Sequence, residues 1–232
     1  MIKQNQIYIA LDKQNEVDAL KLLDQFQGFN IGIKIGMEVY YSLGPDFIYK
    51  VKDQGFNIFL DLKLHDIPNT VYSALKVLSK LPIDIFNIHA AGGLEMMQKA
   101  SQAIHESNSK LLLIAVTQLT STSEEQMKKE QLIHESLEKS VLNYASLAKQ
   151  AGLHGVVCSP KEITLIKNFL GHEFKTITPG IRPQGSELND QKRTMTPVEA
   201  FRAGGDYLVI GRPITAAKNP RETLLNIIEG KL

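Results

Sequence analysis

Asp61, Lys63 and Asp66 fall within the hexapeptide Asp61-Leu62-Lys63-Leu64-His65-Asp66, directly after the apolar run Phe56-Asn57-Ile58-Phe59-Leu60. In an extended chain alternate side chains share a face, so Asp61 and Lys63 are expected to point the same way and Asp66 to lie past the strand end. Burying one unpartnered ion costs several kcal/mol, whereas a mutually neutralising set is tolerable in a dry site. The chemistry open to such a set is electrostatic, with fixed charges acting together on a bound molecule. Taken locally, a surface ion pair of Asp61 with Lys63 and a helix-entry role for Asp66 near Pro68 explain the same residues equally well.

A second constellation closes the chain. In Val209-Ile210-Gly211-Arg212-Pro213-Ile214, Gly211 lets a ligand approach the backbone and Pro213 can start a helix, whose amides bind anions. Arg212 adds a planar donor for phosphate oxygens, although a capped junction with a solvated arginine fits the local sequence too. Thr178-Pro179-Gly180-Ile181-Arg182 brings a second turn and a second cation.

These groups need a scaffold that gathers them. Short apolar β-prone runs recur at 7–11, 31–35, 58–62, 85–88, 111–116, 155–158, 176–181 and 207–210. Between them, Val17-Leu20-Leu23, Val71-Leu75-Leu78 and Leu137-Val141-Tyr144-Leu147 repeat at helical spacing, and Pro68, Pro160, Pro197 and Pro213 stand where helices can begin. Continuous apolar strands alternating with helices imply a parallel sheet covered on both faces, and the number of units suits a closed (β/α)8 TIM barrel of the α/β class. An open doubly wound sheet is the other arrangement, without the G-x-G-x-x-G that usually follows its first strand. Polar residues cluster at the ends of the runs: Asp12, Lys34, Asp61 with Lys63, His89, Thr117 to Thr120, Ser159, Arg182 and Arg212. In a barrel these converge on one mouth, where such folds place their chemistry.

At 232 residues, 43% of them hydrophobic, the chain fits one barrel domain over 1–232. A net charge of +1 without a basic run gives no footprint for nucleic acid. No apolar run approaches the roughly 20 residues that span a bilayer, and the N-terminus lacks a secretory pattern. One cysteine, Cys158, excludes an internal disulfide framework, so a soluble cytoplasmic protein is expected. Cys158 reads as a small buried residue rather than a nucleophile. His65 and His89 lack metal-ligand spacing and read as packing or supporting groups, so no metal is assigned.

The ordered motifs closely resemble those of bacterial orotidine 5'-phosphate decarboxylases, from Tyr8-Ile9-Ala10-Leu11-Asp12 to Gly211-Arg212-Pro213-Ile214. Between them lie Lys34-Ile35-Gly36, Asp61 through Thr70, Val116-Thr117-Gln118-Leu119-Thr120-Ser121, Thr178 through Pro183 and Asp190-Gln191-Lys192-Arg193. The D-x-K-x-x-D element alone is shared with related sugar-phosphate enzymes; the set together is specific. The resemblance implies decarboxylation of orotidine 5'-monophosphate to uridine 5'-monophosphate and CO2, the last step of de novo UMP synthesis, with no cofactor. It implies a Lys34-Asp61-Lys63-Asp66 array with Lys63 as proton donor to C6, and a homodimer whose partner supplies Asp66. It further implies substrate contacts from Asp12 and Lys34 to ribose, Thr120 to the pyrimidine, and Arg182, Gln191, Gly211 and Arg212 toward the phosphate, with Asp61, Ile67 and Thr70 also at the substrate. Asn189 departs from the aspartate that many members carry there. A metal-dependent sugar-phosphate lyase of the same superfamily is the nearest rival; Lys34 stands where those relatives look to carry a metal-binding acid, and would repel a cation. A noncatalytic nucleotide-binding barrel or oligomeric scaffold is the other.

Overall fold

The structure is a computed structural model that describes residues 2–185 and 193–232. Among these, eight parallel strands close into a barrel in sequence order: β1 (Ile7–Leu11), β2 (Gly32–Gly36), β3 (Asn57–Leu64), β4 (Ile85–His89), β5 (Leu112–Val116), β6 (Gly155–Val157), β7 (Lys175–Thr178) and β8 (Tyr207–Ile210), which pairs back onto β1. Parallel neighbours require crossovers, and helices provide them. α1 (Glu16–Asp24) follows β1, α2 (Met37–Leu43) and α3 (Asp46–Asp53) follow β2, α4 (Pro68–Leu78) follows β3, and α5 (Gly93–Glu106) follows β4. Next come α6 (Glu124–Glu130) and α7 (Leu137–Gln150) after β5, α8 (Ile163–Leu170) after β6, α9 (Pro197–Arg202) after β7, then α10 (Arg212–Thr215) and α11 (Pro220–Ile228) after β8. The fold is the expected (β/α)8 barrel.

Strand alternation creates two cores. Residues such as Ile7, Ile9, Ile33, Ile35, Ile58 and Leu60 face outward and pack under the helices. Val71, Leu75 and Leu78 complete that layer from α4, each contributing about 1.5–3 kcal/mol of transfer free energy on burial. The opposite parity fills the barrel with Tyr8, Ala10, Phe59, Ile85, Ile114, Val116, Val157, Ile177 and Val209. Tyr8 packs edge-on against Phe59 and Tyr207, with ring centroids 6.2 and 5.8 Å away, and blocks the lower interior. Gly32 makes room for it, since a Cβ there would lie 2.2 Å from the Tyr8 ring. Two residues higher on the same face, small Ala10 pairs with Lys34, so the upper interior stays open.

Three details differ from the sequence reading. The seventh strand ends at Thr178, because Pro179-Gly180 turns the chain and Ile181 makes only an isolated bridge to Met195. Val17 is exposed, as α1 buries Ala19, Leu22 and Leu23 instead. In α7 the buried face runs through Val141, Ala145 and Ala148, with Tyr144 and Leu147 at its margin. No helix among the described residues is long and apolar enough to cross a membrane.

Candidate active site

Lys34, Asp61 and Lys63 meet at the upper end of the barrel interior. Lys34 sits on β2 beside Phe59 and Asp61 on β3 beside Gly36, two residues higher, both inward by strand parity. A Cβ on Gly36 would lie 3.3 Å from the Lys34 Nζ, so the glycine leaves the ammonium its space. Asp61 Oδ2 lies 3.2 Å from Lys34 Nζ, and Asp61 Oδ1 accepts from Lys63 Nζ at 2.6 Å.

Simple alternation does not deliver Lys63. Its φ is +54°, in the left-handed region that costs an L residue roughly 1–2 kcal/mol, and the β3–β4 register slips between Leu60 and Leu64. Asn87 on β4 holds this bulge: its Oδ1 accepts from the Lys63 backbone N–H at 2.8 Å, while its Nδ2 donates to Asp61 Oδ1 at 2.6 Å. One buried amide thus fixes both the backbone of the lysine and the carboxylate it faces. Asn87 escaped the sequence reading; its signal was an amide at an inward position of the otherwise apolar Ile85-Phe86-Asn87-Ile88.

The electrostatics follow from this geometry. Burial pushes the Asp61 carboxyl upward, but the Lys34 and Lys63 ammoniums and the hydrogen bonds from Lys63 and Asn87 outweigh it and hold the group below its ordinary range. His89, at the end of β4, stacks on His65 with centroids 5.5 Å apart. Its imidazole is pushed down by burial, and further by His65 and Lys63. No group of three or more His, Cys, Asp or Glu among the described residues could hold a metal ion. Cys158 is buried just past β6, and burial raises its thiol to about 12.

A cavity of about 230 Å³ opens over the trio. Phe59, Val116, Val157, Pro179 and Val209 give it apolar walls, and Gln118, Leu119 and Thr120 form one side. Gln118 is itself fixed, donating to Gln131 Oε1 and Ser140 Oγ at 3.0 and 3.1 Å. The cation end lies across the barrel mouth. Arg182 is buried and donates to the Ile181 carbonyl at 3.0 Å; burial and the neighbouring Arg212 charge both lower its pKa. Gly211 caps α10, and a Cβ on it would sit 3.3 Å from Ala10 Cβ and 3.8 Å from Asp12 Oδ2, so the ends of β8 and β1 are in close approach.

Among the expected site residues, Lys34, Asp61, Lys63 and Thr120 line the cavity. Asp12, Gly211, Arg182 and Arg212 stand at the same mouth. Asp66, Ile67 and Thr70 do not join the trio within this chain. Asp66 is exposed and accepts from the Ile67 N–H at 2.7 Å, Ile67 is 67% exposed, and Thr70 is exposed in the first turn of α4. Gln191 and Asn189 lie outside the described residues.

Known proteins match this arrangement over nearly its whole length. The chain is 52% identical over 229 residues to an orotidine 5'-phosphate decarboxylase of Streptococcus suis, covering 98% of each chain. It is 51% identical over 224 residues to that of Staphylococcus haemolyticus, covering 97% of each. The crystal structure of orotidine 5'-phosphate decarboxylase from Lactobacillus acidophilus superposes with a TM-score of 0.86 at 38% identity, over 97% of this chain and 98% of the other. The family model described as orotidine 5'-phosphate decarboxylase / HUMPS matches residues 5–227, and with this barrel and these motifs the chain belongs to that family.

Proposed function

We propose that the protein converts orotidine 5'-monophosphate to uridine 5'-monophosphate and CO2, the closing step of UMP synthesis, in the cytoplasm. The observation that carries this reading is the Lys63 ammonium, 2.6 Å from Asp61 Oδ1 at the edge of an apolar cavity, with Lys34 on the other oxygen. In the reaction the bond from pyrimidine C6 to the carboxylate carbon breaks, its electron pair stays on C6, and CO2 leaves. No carbonyl is placed to delocalise that pair, so the protein must stabilise it by fixed charge. Lys63 supplies the charge and then the proton to C6, and the resulting amine recovers its proton from water. Asp61 and Asn87 hold the lysine in place before substrate arrives, so little reorganisation is needed. The scheme uses no prosthetic group.

Binding roles follow the mouth's layout. Asp12 accepts from ribose hydroxyls, Lys34 reaches ribose while anchoring Asp61, and Thr120 meets the pyrimidine. Arg182, Arg212 and the Gly211 amide take the phosphoryl group, with Gln191 from the neighbouring segment. Their binding energy is remote from the breaking bond and serves to exclude water and fix the base. Asp66, Ile67 and Thr70 act in the partner's site across a homodimer, completing the Lys-Asp-Lys-Asp array there. The support is their exposure on one rim, including a large apolar side chain at Ile67 that a second copy would cover.

The test mixes chelator-treated protein with orotidine 5'-monophosphate and follows the orotate absorbance. Prompt loss of absorbance is expected. Inertness toward this nucleotide, or turnover of another sugar phosphate that returns only with added metal, would contradict the reading.

A further inference from the structure

Arg193 and Glu162 form a buried ion pair outside the cavity, at the start of the segment that leads into α9. Arg193 Nη1 donates to Glu162 Oε1, and Arg193 Nη2 donates to the Leu119 carbonyl at 3.0 Å. Glu162 is 4% exposed, and its second oxygen accepts from the Ser159 N–H at 2.8 Å. The fork therefore joins the loop after β5, the loop after β6 and the segment after β7. Leu119 precedes Thr120, and both line the cavity. On the other side of Leu119, Gln118 is tied down by Gln131 and Ser140. The wall that carries Leu119 and Thr120 is thus anchored from the barrel side by Gln118 and from the mouth side by Arg193.

We propose that Arg193, held by Glu162, is a positioning residue that sets the Leu119–Thr120 wall against the pyrimidine and so contributes to recognition of the base rather than of the ribose phosphate. This rests on the assignment of the cavity to the pyrimidine. A planar guanidinium is suited to the task because one nitrogen can satisfy a buried carboxylate while the other reaches a carbonyl; lysine cannot do both in that geometry. Replacing Arg193 leaves the Leu119 carbonyl to the local Thr122 N–H at 2.9 Å and the Glu162 carboxylate without its guanidinium, so the wall loses its tie to the loop after β6 and the segment after β7.

The test compares inhibition by uridine 5'-monophosphate with inhibition by ribose 5-phosphate, which lacks the base, in wild type, Arg193→Gln, Arg193→Lys and Glu162→Gln. In Arg193→Gln the inhibition constant of the nucleotide and the KM for orotidine 5'-monophosphate are expected to rise about tenfold. The constant for ribose 5-phosphate should move less than about threefold, and kcat less than KM. Glu162→Gln, which keeps the oxygen that accepts from Ser159, should show a weaker form of the same pattern, and Arg193→Lys should not rescue it. Equal weakening of both ligands, or nucleotide binding as tight as wild type in a folded Arg193→Gln protein, would overturn the proposal. A wild type that neither binds the nucleotide nor turns over its precursor would instead sink the pyrimidine assignment on which the proposal stands.

Discussion

Two clusters of the same composition, two lysines and one aspartate, sit at opposite ends of this barrel. At the C-terminal ends of the strands Asp61 faces Lys34 and Lys63; at the N-terminal ends Asp206 faces Lys167 and Lys175. The difference lies in how the ammonium donors are used. Lys167 is 3% exposed and spends its three donors on the carbonyls of His172 and Phe174, both at 2.9 Å, and on Asp206 Oδ2 at 2.5 Å. Asp206 in turn accepts from the Thr176 N–H at 2.8 Å. Among the described residues Lys63 has one such acceptor, Asp61, and its side chain, 29% exposed, lines the cavity. A saturated lysine is a structural tie, while an ammonium with donors still directed at a cavity can act on a ligand. The lower cluster also borders a larger cavity, about 700 Å³, but its most buried charges, Lys167 and Asp206, are paired with each other, and the proposed chemistry belongs to the smaller one.

The contrast is open to direct attack. The largest effect is expected on turnover from Asp61→Asn, which removes the counter-charge of both upper lysines and should lower kcat roughly 10³-fold in a folded protein. Near-normal kcat would place the fixed field elsewhere. For the shared site, equal mixing of Lys63→Ala with Asp66→Asn chains should recover about a quarter of wild-type activity, because each mixed dimer holds one site free of both defects. No recovery after verified subunit exchange would end the two-chain assignment. At the lower cluster, Lys167→Met should cost about 3 kcal/mol of folding stability by removing the nearer counter-charge of Asp206 and the donor to the His172 and Phe174 carbonyls, with kcat unchanged, as read by denaturant titration and steady-state kinetics. A fall in kcat without loss of stability would erase the distinction between the ends.

The smallest effect concerns pH. His89 is held below its unfolded value of 6.5, so the folded state keeps it neutral where the unfolded chain binds a proton. Its contribution to stability is therefore full above that value and fades as pH falls through the folded one. Asp61, also lowered, contributes above its unfolded value of 3.8 and loses that contribution only below it. Stability measured from pH 7 to 5 should decline less steeply in His89→Gln than in wild type; parallel curves would remove His89 from the balance.

Much of this was legible because β-branched runs and proline-led helices are local signals. Seven of the eight strands run where Ile, Val and Leu cluster, the exception being β7 with Ile177 alone, and the helix starts at Pro68 and Pro197 stand where the ring pre-sets φ. Asp61 and Lys63 are legible together because they close one apolar run, whereas Lys34 joins them only through the family resemblance. What stayed hidden is tertiary. The left-handed backbone at Lys63 depends on an amide from another strand, Asn87, and no local propensity announces it. The Arg193–Glu162 fork joins residues 31 apart, which spacing rules do not reach. Asp66 shows no role in a single chain, since its proposed partners belong to a second copy.

The central claim, that an ammonium at position 63 is the acting group, can be tested by rebuilding it chemically. Lys63→Cys should lose roughly 10⁴-fold or more in kcat. Treatment with 2-bromoethylamine then restores an ammonium at that position alone, because Cys158 is fully buried and its thiol is raised to about 12. Recovery of decarboxylation to within about tenfold of wild type is the expected result. An alkylated protein, confirmed by mass, that stays as inactive as Lys63→Cys, or a Lys63→Cys protein that never lost activity, would contradict the account.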